Sequence, residues 1–373
     1  MSSKILIFSN TSWYLHNFRL GLIDLLLARQ YEVLTLAPED KFSDKLREAG
    51  CHHIHLEMDN MGLNPISDLL MKKRLSEQYK EINPDLILHY TIKPVIYGSI
   101  AAGKLGIPFI NNITGLGTAF IKRNWVTWMV KQLYRSSQEK ASYVFFQNRE
   151  DHKLFQKENL IPESVPQEVI PGTGINTDHF NIGSYPDSNP VTFLLMARLI
   201  WDKGVREFVE AARKIKSEFC EIRFQLLGFL DVSNRTAVSR RQMQIWTEQG
   251  IIDYLGETDD VRSYISNADC VVLPSYREGL PRTLLEAASM GRPIIAADVT
   301  GCREVVDHGV NGYLCKAKDA SDLSKKMKDM IKLSIDERRE MGLRGRKKME
   351  ENFDEKIIVQ TIVNRIERFL NTA

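Results

Sequence analysis

Two glutamates, Glu278 and Glu286, flank a Gly-Leu-Pro turn in the stretch REGLPRTLLEAASMGRP (277–293). The turn follows a strand-like run, DCVVLPS (269–275), and leads into a helical pattern. The apolar stripe of that helix consists of Leu284, Leu285, Ala288 and Met290. Pro281 suits the first turn of the helix, where a missing backbone N–H costs nothing. The pattern therefore predicts two carboxylates beside the N-terminus of a helix.

The chemistry of this stretch suits a phosphorylated ligand that also carries hydroxyl groups. Backbone N–H groups of Gly279 and Leu280, together with the positive end of the helix, can hold an anion such as a diphosphate. Glu286 lies about 7 Å along the helix from Pro281 at roughly 1.5 Å per residue, so both carboxylates can face one ligand. The alternative is that Glu278 caps the first turn and Glu286 is a solvated helix residue.

Two cations, Arg198 and Lys203, follow an earlier strand in the stretch MARLIWDKGVREFVEAA (196–212). Arg198 comes directly after the strand, and Lys203 precedes an amphipathic helix. Cations in these positions can neutralise a diphosphate, as the departure of a nucleoside diphosphate requires. Taken alone, such residues are usually solvated surface charges. The anion-binding turn in the same half of the chain favours the diphosphate role.

Short apolar runs alternate with helical patterns along the whole chain. The strand-like runs are KILIF (4–8), EVLTL (32–36), DLILHY (85–90), YVFFQ (143–147), VTFLLMA (191–197), RFQLLG (223–228), CVVLP (270–274) and RPIIAA (292–297). This alternation predicts parallel sheets covered by helices on both faces. The fold class is therefore predicted to be α/β, with two doubly wound domains that bind ligands at the carboxyl ends of their strands and face each other across a cleft.

The predicted boundary between the domains is a segment rich in Asn, Gly, Ser and Pro, NIGSYPDSNP (181–190). We place the first domain at 1–183, the second at 184–352 and a terminal helix at 353–373. The apolar residues of the terminal helix recur at helical spacing, so its apolar face should dock on a domain. They are Ile357, Ile358, Ile362, Val363, Ile366 and Phe369. A chain of 373 residues with 43% apolar residues is long enough for two cores.

Charge and cysteine usage exclude several classes of protein. The chain has 50 Lys and Arg against 48 Asp and Glu, and the resulting net charge of +2 does not indicate a nucleic-acid binder. The five cysteines lack the close pairs of a zinc or redox site, and we expect buried thiols in a reducing cytosol. They are Cys51, Cys220, Cys270, Cys302 and Cys315. The sequence has neither a secretory signal nor a run of roughly 20 apolar residues, so we expect a cytoplasmic protein.

With these motifs the sequence resembles the retaining glycosyltransferases of family 4, which have the two-domain GT-B fold. In the second half, Glu278 and Glu286 match the E-x7-E motif of the family, and ARLIWDKG, VIPGTGINTDHF and LGETDDVRSYISNADCVVLPS resemble its other segments. In the first half, YLHNFRLGL (14–22), HYTIKPVIYGS (89–99) and NNITGLGTAF (111–120) are similar to a bacterial subgroup that extends polyprenyl-diphosphate-linked oligosaccharides. The sequence is similar in these segments to the N-acetylgalactosaminyltransferases of N-glycan and capsule assembly.

The resemblance implies roles for the residues of the second domain, which would bind the donor. Glu286 would hold the ribose hydroxyls of the nucleotide, and Glu278 would contact the donor sugar and take part in catalysis. The residues that would bind the diphosphate are Arg198, Lys203, Gly279 and Leu280. Arg198 and Lys203 would also take part in catalysis, and Gly228 would join the donor site. The terminal helix would cross back to the first domain.

The resemblance also implies a reaction. The transferred sugar keeps its anomeric configuration through a front-face displacement in which the departing phosphate helps to accept the proton of the acceptor, so no protein nucleophile is required. The sequence contains no D-x-D motif, and fixed cations with helix ends replace a divalent metal in GT-B enzymes. We therefore expect no metal and no cofactor beyond the UDP-sugar substrate.

The first domain, which would bind the acceptor, departs from the family at one position. Many members carry a histidine near the donor sugar where this chain has Thr114 and Gly115, and these two residues would take its place. His89 and His16 are the alternative imidazoles, both expected on the acceptor side. A lone histidine at a strand end is more often a structural residue, which remains the competing interpretation of both.

Three further polar residues are predicted to contact the acceptor. Lys93 is either a contact to the acceptor diphosphate or a surface cation. Asn17 and Arg19 open the first helix after the first strand, where a ligand of a doubly wound domain would meet them.

A basic and aromatic segment, AFIKRNWVTWMVKQLYR (119–135), contains no acidic residue. Lys122, Arg123, Trp125 and Trp128 are predicted to form a patch that binds the inner face of the cytoplasmic membrane. Such a patch would bring a soluble enzyme to a lipid-linked acceptor. The alternative is a core helix whose tryptophans pack inward and whose cations are solvated.

The sequence thus predicts an enzyme that transfers a hexose or N-acetylhexosamine, with N-acetylgalactosamine preferred, from a UDP-sugar to a polyprenyl-diphosphate-linked saccharide in bacterial surface-glycan or glycoprotein biosynthesis. Three alternatives remain open. The acceptor could be soluble, the enzyme could be a nucleotide-sugar 2-epimerase of the same architecture, or the protein could bind nucleotide sugars without turnover.

Overall fold

The computed structural model describes residues 2–58, 65–115, 125–186, 190–219, 221–230, 234 and 236–372. The chain forms two compact units, one of residues 1–173 with 355–373 and one of residues 174–354. The predicted boundary at 183/184 was therefore too late. The segment that follows Gly174 packs on the second unit, because Ile175 and Phe180 are buried in its core and Ser184 O accepts a hydrogen bond from Arg292 at 2.6 Å.

The first unit contains a parallel sheet of seven strands in the order β3-β2-β1-β4-β5-β6-β7. The strands are β1 (Lys4–Phe8), β2 (Glu32–Ala37), β3 (His52–His55), β4 (Leu86–Tyr90), β5 (Phe109–Ile113), β6 (Tyr143–Phe146) and β7 (Gln167–Val169). The helices that precede the second unit are α1 (Ser12–Ala28), α2 (Ser43–Glu48), α3 (Pro65–Ile82), α4 (Ser99–Leu105), α5 (Trp125–Gln138) and α6 (Arg149–Lys157), and a π-helical turn spans Pro94–Gly98. Apolar clusters cover both faces of the sheet.

The second unit contains a parallel sheet of six strands in the order β10-β9-β8-β11-β12-β13. The strands are β8 (Val191–Met196), β9 (Ile222–Leu227), β10 (Asp253–Tyr254), β11 (Cys270–Leu273), β12 (Ile294–Ala297) and β13 (Gly312–Cys315). The helices are α7 (Val205–Lys216), α8 (Arg240–Glu248), α9 (Arg262–Ser266), α10 (Arg282–Ser289), α11 (Cys302–Val305), α12 (Ala320–Lys332) and α13 (Ile335–Asn352). The prediction of two doubly wound α/β halves is confirmed.

Both sheets reverse their strand order next to the first strand of the unit. In the first unit the reversal lies between β1 and β4, and in the second it lies between β8 and β11. Open α/β sheets bind ligands outside the carboxyl ends of the strands at such a switch point, because the loops there diverge to opposite faces. The loops that follow β8 and β11 carry Arg198 and Glu278, respectively.

The terminal helix α14 (Glu355–Thr372) packs in the first unit. It buries Ile358, Ile362, Val363 and Ile366 in the apolar cluster that α1 also lines. Arg29, the C-cap residue of α1, forms an ion pair with Glu367, with 2.7 Å between Nη1 and Oε1. Ile357 is exposed, in contrast to its predicted place on the apolar face.

Four of the five cysteines lie in described parts of the chain, and the prediction of buried thiols is confirmed for them. Cys51, Cys270, Cys302 and Cys315 are buried and free, whereas Cys220 lies outside the described residues. Within the described ranges, no helix is long and apolar enough to cross a membrane.

A buried ion pair between Arg338 and Asp269 fixes α13 on the sheet of the second unit. Arg338 Nη2 lies 3.4 Å from Asp269 Oδ1, and both side chains are almost completely buried. Asp269 Oδ2 also accepts a hydrogen bond from the backbone N–H of Thr192 at 2.9 Å. Because Asp269 directly precedes β11, the pair anchors the strand whose other end leads to Glu278.

Replacing Arg338 with methionine should lower the free energy of unfolding of the second unit by about 3 to 5 kcal/mol, because Asp269 would stay buried without its cation. Urea denaturation followed by tryptophan fluorescence measures the change. Arg339→Met is the matched control, since Arg339 is exposed and its loss should change stability by no more than about 0.5 kcal/mol. Equal losses in the two variants would contradict the anchoring role of Arg338.

Candidate active site

The loop after β8 and the loop after β11 touch each other through their backbones. Tyr276 N donates a hydrogen bond to Asp202 O at 2.9 Å. Gly204 has a φ of +74°, and a Cβ atom at this position would lie 2.2 Å from Pro274 O. Only glycine combines that dihedral angle with so close an approach. The contact of the two loops therefore depends on Gly204, which lies next to Lys203.

Lys203 and Glu278 form an ion pair between these loops. Lys203 Nζ donates to Glu278 Oε1 at 2.5 Å, and the side chains are 21% and 10% exposed, respectively. An ammonium group has three donors, so this contact leaves donors that a phosphate oxygen can use. The predicted cation and the predicted carboxylate thus belong to one constellation, in which each neutralises the other in the absence of ligand.

A third loop supports the Glu278 turn from the side of β12. Gly301, with a φ of +72°, lies so close that a Cβ atom there would be 2.1 Å from Gly279 O. Sequence reasoning did not single out Gly301, although a glycine that follows a strand and precedes a helix was a usable signal. The turn that carries Glu278 and Gly279 is therefore held on two sides, by Gly204 and by Gly301.

The N-terminus of α10 is open to an anion. Pro281 was predicted to lie in the first turn, but it is the N-cap residue that precedes this turn. Its side chain makes no capping hydrogen bond. The first turn contains no acidic residue. The alternative in which Glu278 caps this helix is wrong, because its carboxylate pairs with Lys203. The positive end of α10 is consequently left for a negatively charged ligand.

Glu286 is largely buried within the second unit. Its side chain is 13% exposed, and Arg282 Nε donates to Glu286 Oε1 at 2.9 Å. Burial raises the pKa of Glu286 above its ordinary value, while the neighbouring Arg282 opposes that rise. The alternative that Glu286 is a solvated residue is therefore wrong. Its carboxylate is a fixed acceptor on the same helix whose N-terminus follows Glu278.

Arg198 and Gly228 lie beside each other at the ends of β8 and β9. The Arg198 side chain is exposed and forms no ion pair with any residue that the structure describes, so its charge is available to a ligand. Gly228 N–H donates to Gly256 O at 2.8 Å, and Gly228 O accepts from Tyr254 Oη at 3.0 Å. Gly228 thus joins neighbouring loops within the unit, and its N–H is not free for the predicted donor contact.

His89 is a structural residue of the first unit. It lies in β4, completely buried, and its ring nitrogens contact Tyr79 Oη and Asn111 Oδ1, each at 3.0 Å. Burial lowers the pKa of His89 to about 3. The prediction that His89 contacts the acceptor is wrong, because the strand directs its side chain into the core and not toward the strand end.

Arg19 is also part of the core, in contrast to its predicted acceptor contact. Its guanidinium lies 4.0 Å from the centre of the Tyr90 ring, and Arg19 Nη2 donates to Tyr14 Oη at 2.8 Å. The residue is buried. The prediction failed because Arg19 lies on the buried face of α1, in line with Leu15 and Leu22, and two tyrosine rings give the buried cation a favourable environment.

His16 and Asn17 lie on α1 beyond the carboxyl end of β1, and both are partly exposed. The His16 ring packs at 5.2 Å on Phe42. Burial and the nearby Lys45 lower the pKa of His16, so its imidazole is neutral near pH 7. Asn17 Nδ2 donates to Trp13 O at 2.9 Å. Their place in the fold is the one predicted for acceptor contacts.

Lys93, Thr114 and Gly115 also follow carboxyl ends of strands in the first unit. Lys93 is the N-cap residue of the π-helical turn after β4. Thr114 and Gly115 directly follow β5, and both are partly exposed. These residues therefore lie at the edge of the first sheet where a ligand is expected.

The helix α5 exposes two tryptophans. Trp125 is 73% exposed and Trp128 is 65% exposed, whereas Tyr134 of the same helix is buried. The alternative in which the tryptophans pack inward is wrong. The other two residues of the predicted patch, Lys122 and Arg123, lie outside the described residues.

Among the residues that the structure describes, no three His, Cys, Asp or Glu side chains are grouped so that they could hold a metal ion.

Two family models match the chain, one on each half. Residues 4–148 match the model described as "Glycosyl transferase 4-like", and residues 178–348 match the model described as "Glycosyl transferases group 1". The second match includes Arg198, Lys203 and both glutamates.

Relatives extend the match over nearly the full length. The chain is 30% identical to N,N'-diacetylbacillosaminyl-diphospho-undecaprenol alpha-1,3-N-acetylgalactosaminyltransferase of Campylobacter jejuni, over 96% of this chain and 97% of the relative. It is 32% identical to N-acetyl-alpha-D-glucosaminyl L-malate synthase of Bacillus anthracis, over 83% of this chain and 81% of that protein.

Solved structures share the fold at lower identity. The structure of HepE from Anabaena in complex with UDP-glucose superposes with a TM-score of 0.79 at 19% identity and covers 98% of this chain and 99% of its own. Together with the two family models and the full-length relatives, this similarity identifies the chain as a member of the family 4 glycosyltransferases, with the GT-B fold.

Proposed function

We propose that the protein is a retaining glycosyltransferase that transfers an N-acetylhexosamine, most simply N-acetylgalactosamine, from a UDP-sugar to a polyprenyl-diphosphate-linked saccharide. The observation that carries this proposal is the relation to the Campylobacter jejuni enzyme, because it extends over 96% of this chain and includes both halves. The name of that enzyme specifies both an N-acetylgalactosaminyl group and a diphospho-undecaprenol-linked saccharide.

The donor nucleotide is proposed to bind at the switch point of the second unit. Arg198, Lys203 and the N-terminus of α10 would bind the diphosphate. Their positive charges are already in place, so the protein need not rearrange as negative charge develops on the departing phosphate. Glu286 would accept hydrogen bonds from the ribose, and Glu278 would contact the donor sugar. A UDP-sugar is favoured because HepE, which has the same fold, has been solved with UDP-glucose.

The reaction is proposed to be a front-face displacement. The bond between the anomeric carbon and the β-phosphate oxygen breaks while the acceptor hydroxyl oxygen attacks from the same face of the sugar. The hydroxyl proton passes to the departing phosphate oxygen, and UDP leaves. Lys203 would stabilise the negative charge that develops on this oxygen, while Glu278 holds Lys203 in place. No divalent metal takes part in this scheme.

The acceptor is proposed to bind at the carboxyl edge of the sheet of the first unit. His16, Asn17 and Lys93 lie there, and Lys93 would pair with the acceptor diphosphate. Thr114 and Gly115 would lie near the donor sugar, where related enzymes carry a histidine.

A second candidate function is transfer to a soluble acceptor. It is favoured by the relative from Bacillus anthracis, whose name specifies the synthesis of N-acetyl-alpha-D-glucosaminyl L-malate. The two candidates share the donor site and differ only in what the first unit binds.

A panel of UDP- and GDP-sugars, incubated with the protein and a polyprenyl-diphosphate-linked saccharide in the presence of EDTA, tests the proposal by mass spectrometry. We expect a mass gain of one N-acetylhexosamine from a single UDP-sugar. Glu286→Ala should lower kcat/KM by about 10- to 100-fold, because a charged hydrogen-bond acceptor is lost.

Two results would contradict parts of the proposal. Activity that returns only after magnesium or manganese is added would exclude the metal-free scheme. UDP binding without any product on the lipid-linked acceptor would favour the soluble acceptor, or a protein that binds nucleotide sugars without turnover.

The exposed tryptophans of α5 are proposed to bind the membrane surface that holds the acceptor. Tryptophan favours the boundary between head groups and acyl chains because its ring is apolar and its N–H is polar. A patch of this kind would make the protein peripheral to the membrane.

Replacing Trp125 and Trp128 together with serine should reduce co-sedimentation with phosphatidylglycerol and phosphatidylethanolamine vesicles by at least about tenfold, given the apolar area that two tryptophans bury. Phe229→Ser is the control, because Phe229 is a 49% exposed aromatic residue of the second unit and its loss should leave vesicle binding unchanged. Unaltered binding of the double variant would exclude this patch as the membrane contact.

A further inference from the structure

We propose that Arg282 is a positioning residue of the donor site. By holding one oxygen of the Glu286 carboxylate, it presents the other oxygen to a ribose hydroxyl of the nucleotide. This inference rests on the proposed function, because it takes Glu286 to be the ribose contact. Neither the motif nor the spacing of the two glutamates pointed to Arg282.

The contact itself divides the carboxylate into a held and a free oxygen. Arg282 is the first residue of α10, and its Nε donates to Glu286 Oε1 at 2.9 Å. Glu286 Oε2 has no hydrogen bond to any residue in the described parts of the chain, and it is not among the buried polar atoms that lack a partner. The free oxygen is therefore accessible, and its direction is fixed by the bond to the held one.

The position of Arg282 runs against the usual preference of helix termini. A cation in the first turn is repelled by the positive end of the helix dipole and costs about 0.3 to 1 kcal/mol. In the same unit, α12 has Asp319 as its N-cap residue and α13 has Asp336 and Glu337 in its first turn, whereas α8 and α9 also begin with an arginine, Arg240 and Arg262. An arginine at a helix N-terminus is thus not peculiar to the donor site. The inference rests on the contact of Arg282 with the largely buried Glu286.

The charges around Glu286 explain why the site needs this cation. Burial raises the pKa of Glu286, Arg282 lowers it, and the negative charge of Asp260 raises it. Asp260 stays ionised because Arg262 Nη2 lies 2.6 Å from Asp260 Oδ2, and the exposed His179 also faces Asp260. Without Arg282, both remaining influences on Glu286 favour its protonated form, which is a poorer acceptor for a hydroxyl group.

The competing role for Arg282 is a direct contact to the diphosphate, since α10 begins with it. The two roles make different demands on the ligand. If Arg282 positions Glu286, it contributes to nucleotide binding only when the ribose hydroxyls are present. If Arg282 contacts the diphosphate directly, its contribution does not depend on these hydroxyls. A nucleotide that keeps the diphosphate but lacks both ribose hydroxyls therefore separates the two roles.

The experiment measures the Kd of UDP and of 2′,3′-dideoxy-UDP by titration calorimetry for the unaltered protein, Arg282→Met and Arg282→Lys. We expect Arg282→Met to weaken UDP binding about tenfold, the loss typical of one hydrogen bond to a charged group. Binding of dideoxy-UDP should not change, and Arg282→Lys should recover part of the UDP affinity. Because loss of the cation raises the pKa of Glu286, the acidic limb of UDP binding should move to higher pH in Arg282→Met.

Arg344→Met is the matched control, because Arg344 pairs with Glu340 on the exposed face of α13 and should leave both Kd values unchanged. Thermal unfolding establishes that each variant is folded. Equal weakening of UDP and dideoxy-UDP in Arg282→Met, or no weakening of either, would overturn the inference while the proposed function stands. Failure of the unaltered protein to bind UDP would overturn both.

Discussion

The donor half of the molecule depends on how closely the loops after β8 and β11 approach each other. Gly204 permits that approach, and Gly301 supports the same turn from the side of β12. The consequence is chemical, because the approach brings Lys203 within 2.5 Å of Glu278 although 75 residues separate them in the sequence. A cation, a carboxylate and the N-terminus of a helix then lie side by side. The cation and the helix N-terminus are the groups that can stabilise the negative charge of a departing nucleoside diphosphate.

The first unit illustrates that a polar residue near a strand end need not serve a ligand. His89 and Arg19 both lie where a ligand could be expected, yet the core of the unit contains them. Each has local partners: His89 makes hydrogen bonds to neighbouring side chains, and the guanidinium of Arg19 lies over two tyrosine rings. Whether such a residue contacts a ligand or packs in the core depends on the direction of its side chain. Alternate residues of a strand point to opposite faces of the sheet, and the residues on one face of a helix point toward the sheet.

The sequence was most informative where a strand or helix is buried. All eight strands that were predicted from apolar runs are present, and the apolar stripe of α10 is buried as expected. Five strands were missed. Four of them, β3, β7, β10 and β13, are the edges of the two sheets, and the fifth, β5, is a buried interior strand whose apolar run is interrupted by Asn111 and Asn112. Edge strands are short and need no continuous apolar run because one side of each faces no further strand. Their sequences, such as HHIH in β3, therefore carried no signal.

The site was predictable in its residues but not in its contacts. Motifs indicated Glu278, Glu286, Arg198 and Lys203. The pairing of Lys203 with Glu278 and of Arg282 with Glu286 depends on how the chain packs, and the motifs did not indicate it. The unit boundary failed for a related reason, since linker-like composition does not reveal that Arg292 holds Ser184 on the second unit. Spacing along the chain limits which residues can meet, and packing selects among them.

A double-mutant cycle on Lys203 and Glu278 tests whether this pair acts as one catalytic unit. If it does, Lys203→Met and Glu278→Ala should each lower kcat/KM by about 100- to 1,000-fold, and the double variant should be no more than a few fold less active than the less active single variant. If the two losses instead multiply, the residues act independently, and the ion pair is not the element on which the donor site depends.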